Sequence, residues 1–236
     1  MSNSSFRPGF PLTLVTALAL VVLLGLGMWQ AQKVGPKNKM VAAIEAGLAA
    51  APQPLPVHLD DPAAVAYRRF SLDGIASSFD PVKVFGTNLQ GKAGYHLYKP
   101  VVRNFGRAVI VNFGWVPYEL DGVPPLPTGP VSIQGVLMTN AVAGSFTPGN
   151  DAEHGSWYLA DVHEIAAHYG LNSKDYYHFR LFADHSGEPD ALPRGGQVRV
   201  NIPNSHFEYM LTWFGIAAGL IGVYVAFEYK KGGPER

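Results

Sequence analysis

The run PLTLVTALALVVLLGLGMW, Pro11 to Trp29, carries no charged side chain over 19 residues. A helix of that length rises roughly 28 Å, close to the ~30 Å hydrocarbon core of a bilayer. Phe207 to Phe227 repeats the pattern near the other end of the chain, interrupted only by Glu208. Aromatic residues mark the ends of both runs: Phe6, Phe10 and Trp29 on the first, Trp213, Phe227 and Tyr229 on the second. Such rings favour the membrane–water interface. The first run reads as an uncleaved anchor, because Arg7 alone makes a thin basic region and no A-x-A-like site occurs around Met28-Trp29-Gln30-Ala31. Lys230-Lys231 after the second run suits the end of a membrane span.

Working outward, the spans organise the chain into transmembrane helix 11–29, an intervening domain 30–206 and transmembrane helix 207–227. Both termini then share one side of the membrane. The flanking charges do not set the orientation: Arg7, Lys230, Lys231 and Arg236 stand at the termini, and Lys33, Lys37, Lys39, Arg194 and Arg199 at the ends of the domain. Over 236 residues, 18 Lys plus Arg balance 18 Asp plus Glu, which excludes a generic basic nucleic-acid binder. The absence of cysteine excludes disulfide frameworks, thiol catalysis, Cys-ligated metals and covalent C-x-x-C-H haem attachment.

Between the spans, residues 37–50 have the apolar spacing of a helix (Met40, Val41, Ile44, Leu48) that continues from the first span and stops at the proline-rich 51–56. From Tyr67 the period changes to two. Strands are predicted over 69–75, 82–85, 95–102, 107–115, 131–138, 176–182 and 197–202, with Gly/Pro turns between them. One short helix falls at 161–169, with Asp161 as N-cap and Glu164 three residues on. The expected fold is two transmembrane helices flanking a mainly antiparallel, barrel-like α+β domain outside the cytoplasm.

Most of the eight histidines lack a partner in sequence. His163 and His168 resemble a zincin pair, but a five-residue spacing separates them by about 140° around a helix, whereas the facial pair needs a spacing of four. His58, His96, His154, His178 and His185 read as structural or surface residues. No nucleophile elbow or phosphate loop is present, and nothing points to an enzyme. His206 differs by its place at the start of the second span. On a helix, His206, Tyr209, Met210 and Trp213 share one face, with Trp213 about 10 Å deeper in the bilayer. An imidazole above an apolar aromatic face suits a flat, hydrophobic metallocycle whose iron it would ligate. The same residues are open to a plainer reading, in which Ser205-x-x-Glu208 is a capping box and the aromatics are interface residues.

Several segments in order resemble the Surfeit-locus cytochrome oxidase assembly factor family. They are Tyr67-Arg68-Arg69, the run from Gly94 to Pro100 (GYHLYKP), Val109 to Pro117 (VIVNFGWVP), Gly144 to Asn150 (GSFTPGN), Trp157 to Asp161 (WYLAD) and Pro203 to Tyr209 (PNSHFEY), leading to Thr212-Trp213. Phe113 stands where an Arg is common before G-W-V-P. The resemblance implies a non-enzymatic, multi-pass protein of the bacterial cytoplasmic (inner) membrane, with cytoplasmic termini and a periplasmic domain. It implies haem a as cofactor or cargo, with cytochrome c oxidase subunit I as partner, the haem a synthase as a further partner and the bilayer as surroundings. The family's haem-associated His and Trp fall on His206 and Trp213, with Tyr209 and Met210 beside them. The alternative implied is a scaffold that never holds haem and stabilises oxidase subunits or the synthase through its β domain. Gly114, Trp115 and Pro117 read as turn and core residues.

Overall fold

The computed structural model describes residues 9–104, 106–200 and 205–231. Phe6, Arg7, Asn201-Ile202, Pro203-Asn204 and Arg236, which fall within the readings above, lie outside the described residues. Contacts divide the chain into two units. One comprises the described residues up to Ala43 together with those of the C-terminal helix; the other is Ile44–Val200.

The first predicted span and the helix expected at 37–50 are one helix, α1 (Phe10–Ala49), 40 residues long with Pro36 inside it. The second span lies in the C-terminal helix, His206–Lys231. Each is long and apolar enough to cross a membrane. Only 11% of the most apolar window of the first and 6% of that of the second is buried, unlike the core helix of a soluble protein.

Along α1, Leu12, Thr16, Ala19, Leu23, Gly27 and Gln30 are buried or half-buried; along the C-terminal helix, Met210, Trp213, Ala217, Leu220, Tyr224 and Glu228 are. Steps of three and four residues make each set a seam of the kind that paired helices share. Thr13 Oγ1 and Tyr224 Oη are 2.7 Å apart. The Phe214 ring fills the space over Gly27, where a Cβ would come within 2.6 Å of it. Small residues let helix backbones approach without a soluble core. The two helices therefore run antiparallel.

In the second unit, seven strands form one sheet: β1 (Gln53–Pro54), β2 (Arg69–Ala76), β3 (Val82–Thr87), β4 (Ala93–Arg103), β5 (Ala108–Pro117), β6 (Gly129–Thr139) and β7 (Tyr176–Ala183). The order is β1-β2-β6-β7-β5-β4-β3. A further pairing of β2 with β4, through Gly74↔Arg103 and Ile75↔Val102, closes β2, β6, β7, β5 and β4 into a ring. This pairing covers the ends of β2 and β4 that would otherwise be open, and leaves β1 and β3 at the edges. The sheet is mixed rather than uniformly antiparallel, because β7 inserts between β6 and β5 and runs parallel to β5, and β1 runs parallel to β2. The last predicted strand does not form over its described part, 197–200. Gln197 and Arg199 instead bond the backbone of the β3–β4 connection, at Leu89 N and Asn88 O.

β5 is buried along nearly its whole length because both its faces are covered. Val109, Val111 and Phe113 join Phe70, Leu72, Leu137 and Leu181 in one core. Ala108 and Ile110 join Trp157, Val162 and Ile165 in the other. The second core is covered by α2 (Val162–His168), whose N-cap Asp161 accepts from His163 N and Glu164 N. Tyr169, just after α2, receives the Val82 N–H and donates to Asp80 O, and burial pushes its phenol up to about 12.

The barrel wall contains a polar cluster. Asn112 Nδ2 donates to His96 Nδ1 at 3.1 Å and to the buried Tyr98 hydroxyl at 3.3 Å, and its Oδ1 accepts from Gly114 N at 3.0 Å. His96 is thus an acceptor at Nδ1 and donates from Nε2 to Thr87 O at 3.2 Å. Burial, with the Arg180 and Arg199 charges adding to it, holds its pKa below the ordinary 6.5, against the opposing Thr87 bond. As pH falls through 6.5 the unfolded chain takes the proton first, so stability is lost on acidification. The denaturant midpoint of the full-length protein, followed by near-ultraviolet circular dichroism, should fall over that range, with a shallower pH slope in His96→Gln. An unchanged slope in the variant contradicts the assignment.

Candidate functional site

His206 opens the C-terminal helix, here α3 (His206–Lys231). Its first turn is held by the Tyr209 N–H donating to Ser205 O at 3.0 Å and the Thr212 hydroxyl donating to Glu208 O at 2.9 Å. The half-buried imidazole meets α1: Nδ1 lies 2.7 Å from Gln30 Oε1. A carboxamide oxygen can only accept, so Nδ1 carries the hydrogen in this pairing. In that tautomer the lone pair is on Nε2, the nitrogen a metal would take.

The face expected from spacing divides in the structure. Met210 and Trp213 are half-buried with His206, whereas Tyr209 is 53% exposed. By helix rise Trp213 stands roughly 10 Å further along α3 than His206. This arrangement supplies one nitrogen ligand at a helix end with apolar surface beyond it. That donor set fits a single axial bond to the iron of a flat macrocycle and supplies no cage for a bare metal ion. Among the described residues, no three His, Asp or Glu side chains converge as a metal site. Gln30 was not singled out by sequence reasoning. The signal was present: it is the first polar side chain after an uncharged run, and antiparallel spans bring the end of one level with the start of the other.

The remaining histidines lie in the other unit. His163 Nδ1 and the Tyr176 hydroxyl are 2.8 Å apart, and the His163 ring stands 4.9 Å from that of His178. His168 meets the Trp157 ring edge-on at 5.5 Å. His154 pairs with Asp151, and His185 receives the Gly195 N–H.

The segments from GYHLYKP to WYLAD lie in the barrel unit. Gly114 has φ +135, and a Cβ there would come within 2.7 Å of the Arg194 backbone, to which Trp115 is bridged. Trp115 is 3% exposed and Phe113 belongs to the core. Gly114, Trp115 and Phe113 therefore have structural roles. Phe85, Tyr95, Tyr118 and Tyr158 instead form an outward aromatic group, with ring centroids 5.6–6.5 Å apart. Phe146, in the GSFTPGN loop, is 98% exposed.

Comparison with known proteins places these features in context. The sequence model of the SURF1 family matches residues 17–218, a span that includes Gln30, His206 and Trp213. The chain is 28% identical over 218 residues to a SURF1-like protein of Rickettsia felis, covering 91% of this chain and 95% of the relative. It is 28% identical over 232 residues to a SURF1-like protein of Monosiga brevicollis (90% and 85%). It is 29% identical over 238 aligned positions to Surfeit locus protein 1 of Mus musculus (92% and 74%).

The Cys-free chain makes the helix register directly measurable. Thr13→Cys and Tyr224→Cys together should cross-link with a short bifunctional thiol reagent in membranes. Adding Gly27→Leu, which drives a side chain into Phe214, should lower the cross-link yield several-fold. An undiminished yield contradicts the packing of Phe214 on Gly27.

Proposed function

The chain belongs to the SURF1 family, and from that premise we propose that it is a membrane-anchored assembly factor for haem–copper cytochrome oxidase. In this reading it binds haem a through His206 and assists its delivery to oxidase subunit I. It acts as a handling protein and not as an enzyme, in the bacterial cytoplasmic membrane, with both termini cytoplasmic and the barrel unit periplasmic. Exchange with the haem a synthase would supply the cargo.

The observation that carries the reading is the hydrogen bond from His206 Nδ1 to Gln30, which leaves Nε2 as the ligand nitrogen at the start of an apolar helix. When bound, haem a would supply an iron open to an axial imidazole and a hydrophobic ring. The chain's own part is to hold the imidazole oriented. Met210 and Trp213 offer apolar surface next to it, and the lipid-facing sides of α1 and α3 keep water away. One imidazole without an enclosing cage suits a protein that must also release its cargo.

A second reading has its own support. The exposed rings of Phe85, Tyr118 and Tyr158 around the half-buried Tyr95, with Phe146 near full exposure, have the composition of a protein-contact surface. In that reading the barrel unit steadies oxidase subunits or the synthase without holding haem.

The test is the reduced-minus-oxidised spectrum of the full-length protein purified after co-expression with haem a synthesis. His206→Ala should lose most of the bound haem while the Thr13/Tyr224 cross-link persists. Equal haem in both proteins contradicts ligation by His206; no haem in either favours the scaffold.

A further inference from the structure

We infer that Gln30 is a positioning residue for the axial imidazole, setting the tautomer and ring orientation of His206 and through them its strength as an iron ligand. The inference rests on the ligand reading above and extends it to the opposite helix.

Three observations carry it. Gln30 Oε1 is 2.7 Å from His206 Nδ1, across 176 residues of sequence, and both side chains are half-buried. Gln30 is the first side chain after Thr16 that can accept a strong hydrogen bond, since residues 17–29 are Ala, Leu, Val, Gly, Met and Trp only. The contact is not an isolated surface pairing: Phe214 on Gly27 lies about one turn away along α1 and about two turns along α3, and Thr13 with Tyr224 fixes the register further along.

The physical consequence follows from imidazole chemistry. An unpartnered neutral ring samples both tautomers and rotates about its χ2 axis. Donation from Nδ1 to a fixed acceptor leaves one tautomer, aims Nε2 and raises its basicity. A carboxamide oxygen polarises the Nδ1–H bond less than a carboxylate does. Gln30 therefore gives His206 the character of a moderately strong ligand. A residue that merely joined the helices would leave the properties of a bound iron unchanged.

The experiment uses the full-length protein loaded with haem a, and compares wild type, His206→Ala, Gln30→Leu and Gln30→Glu. The readouts are haem retention on dilution, the iron midpoint potential and the Thr13/Tyr224 cross-link. Gln30→Leu should weaken retention by about 10- to 100-fold, the usual effect of removing a partner of a metal-bound histidine, and raise the potential. Gln30→Glu keeps an acceptor, so it should restore retention and lower the potential below that of wild type. Retained cross-linking in Gln30→Leu separates a ligand effect from loss of the helix pair. If that variant does not fold, the Gln30→Glu potential decides, and a wild-type value overturns the proposal. If His206→Ala loses haem while both Gln30 variants keep wild-type retention and potential, Gln30's role falls and the ligand reading stands. If His206→Ala keeps its haem, the ligand reading falls and this inference with it.

Discussion

Gly27 and Phe214 set the register of two apolar helices whose facing residues are 187 positions apart in sequence. With a glycine on one helix and a ring on the other, the backbones can pack at only a few offsets. The offset in the structure also places the Thr13 hydroxyl against that of Tyr224 and the Gln30 amide against His206. Helices without a soluble core depend on such steric fits, because lipid is as apolar as leucine and supplies no hydrophobic drive for pairing. The tautomer of His206 is therefore a consequence of helix register. A shift of one turn would move the imidazole roughly 5 Å along α1, from Gln30 onto leucine, glycine or lysine positions.

The barrel unit obeys a different constraint. β5 lies in the middle of the sheet with both faces covered, so its sequence is a near-continuous apolar run and not an alternating one. Its one buried amide, Asn112, is satisfied by His96, Tyr98 and Gly114, as a polar group in that position must be. Gly114 then allows the backbone of Arg194 to approach where any side chain would collide. Much of the sequence that resembles the family, including GYHLYKP and VIVNFGWVP, serves this closure. The aromatic group beside it, with Phe85, Tyr118 and Tyr158 exposed around Tyr95, belongs to neither core cluster.

Local physics made much of this legible in the sequence. Charge-free runs identified the helices now seen as α1 and α3, alternation or apolar runs between Gly/Pro turns placed six of the strands to within a few residues, and Asp161 marked the start of α2. What escaped was pairing. Alternation says which face a residue takes but not which strand lies beside it, so the insertion of β7 next to β5 and the parallel pairings were invisible. Residues 197–200 alternate like a strand, yet Gln197 and Arg199 spend their side chains on the Asn88–Leu89 backbone. At the candidate site, His206 stood out by position and chemistry. Tyr209 shares the helical spacing but points outward, because seam positions step by three and four from His206 through Met210 and Trp213. Gln30 could be found only by laying the two spans antiparallel.

The claim at the centre of this account is an iron–imidazole bond from His206. The most direct measurement is the resonance Raman spectrum of the reduced, haem a-loaded full-length protein, prepared with natural and with 15N-labelled histidine. The account predicts a low-frequency iron–histidine stretch that shifts on labelling and vanishes in His206→Ala. A bound haem whose iron–ligand modes ignore the label, or whose iron–histidine mode survives in His206→Ala, would contradict it.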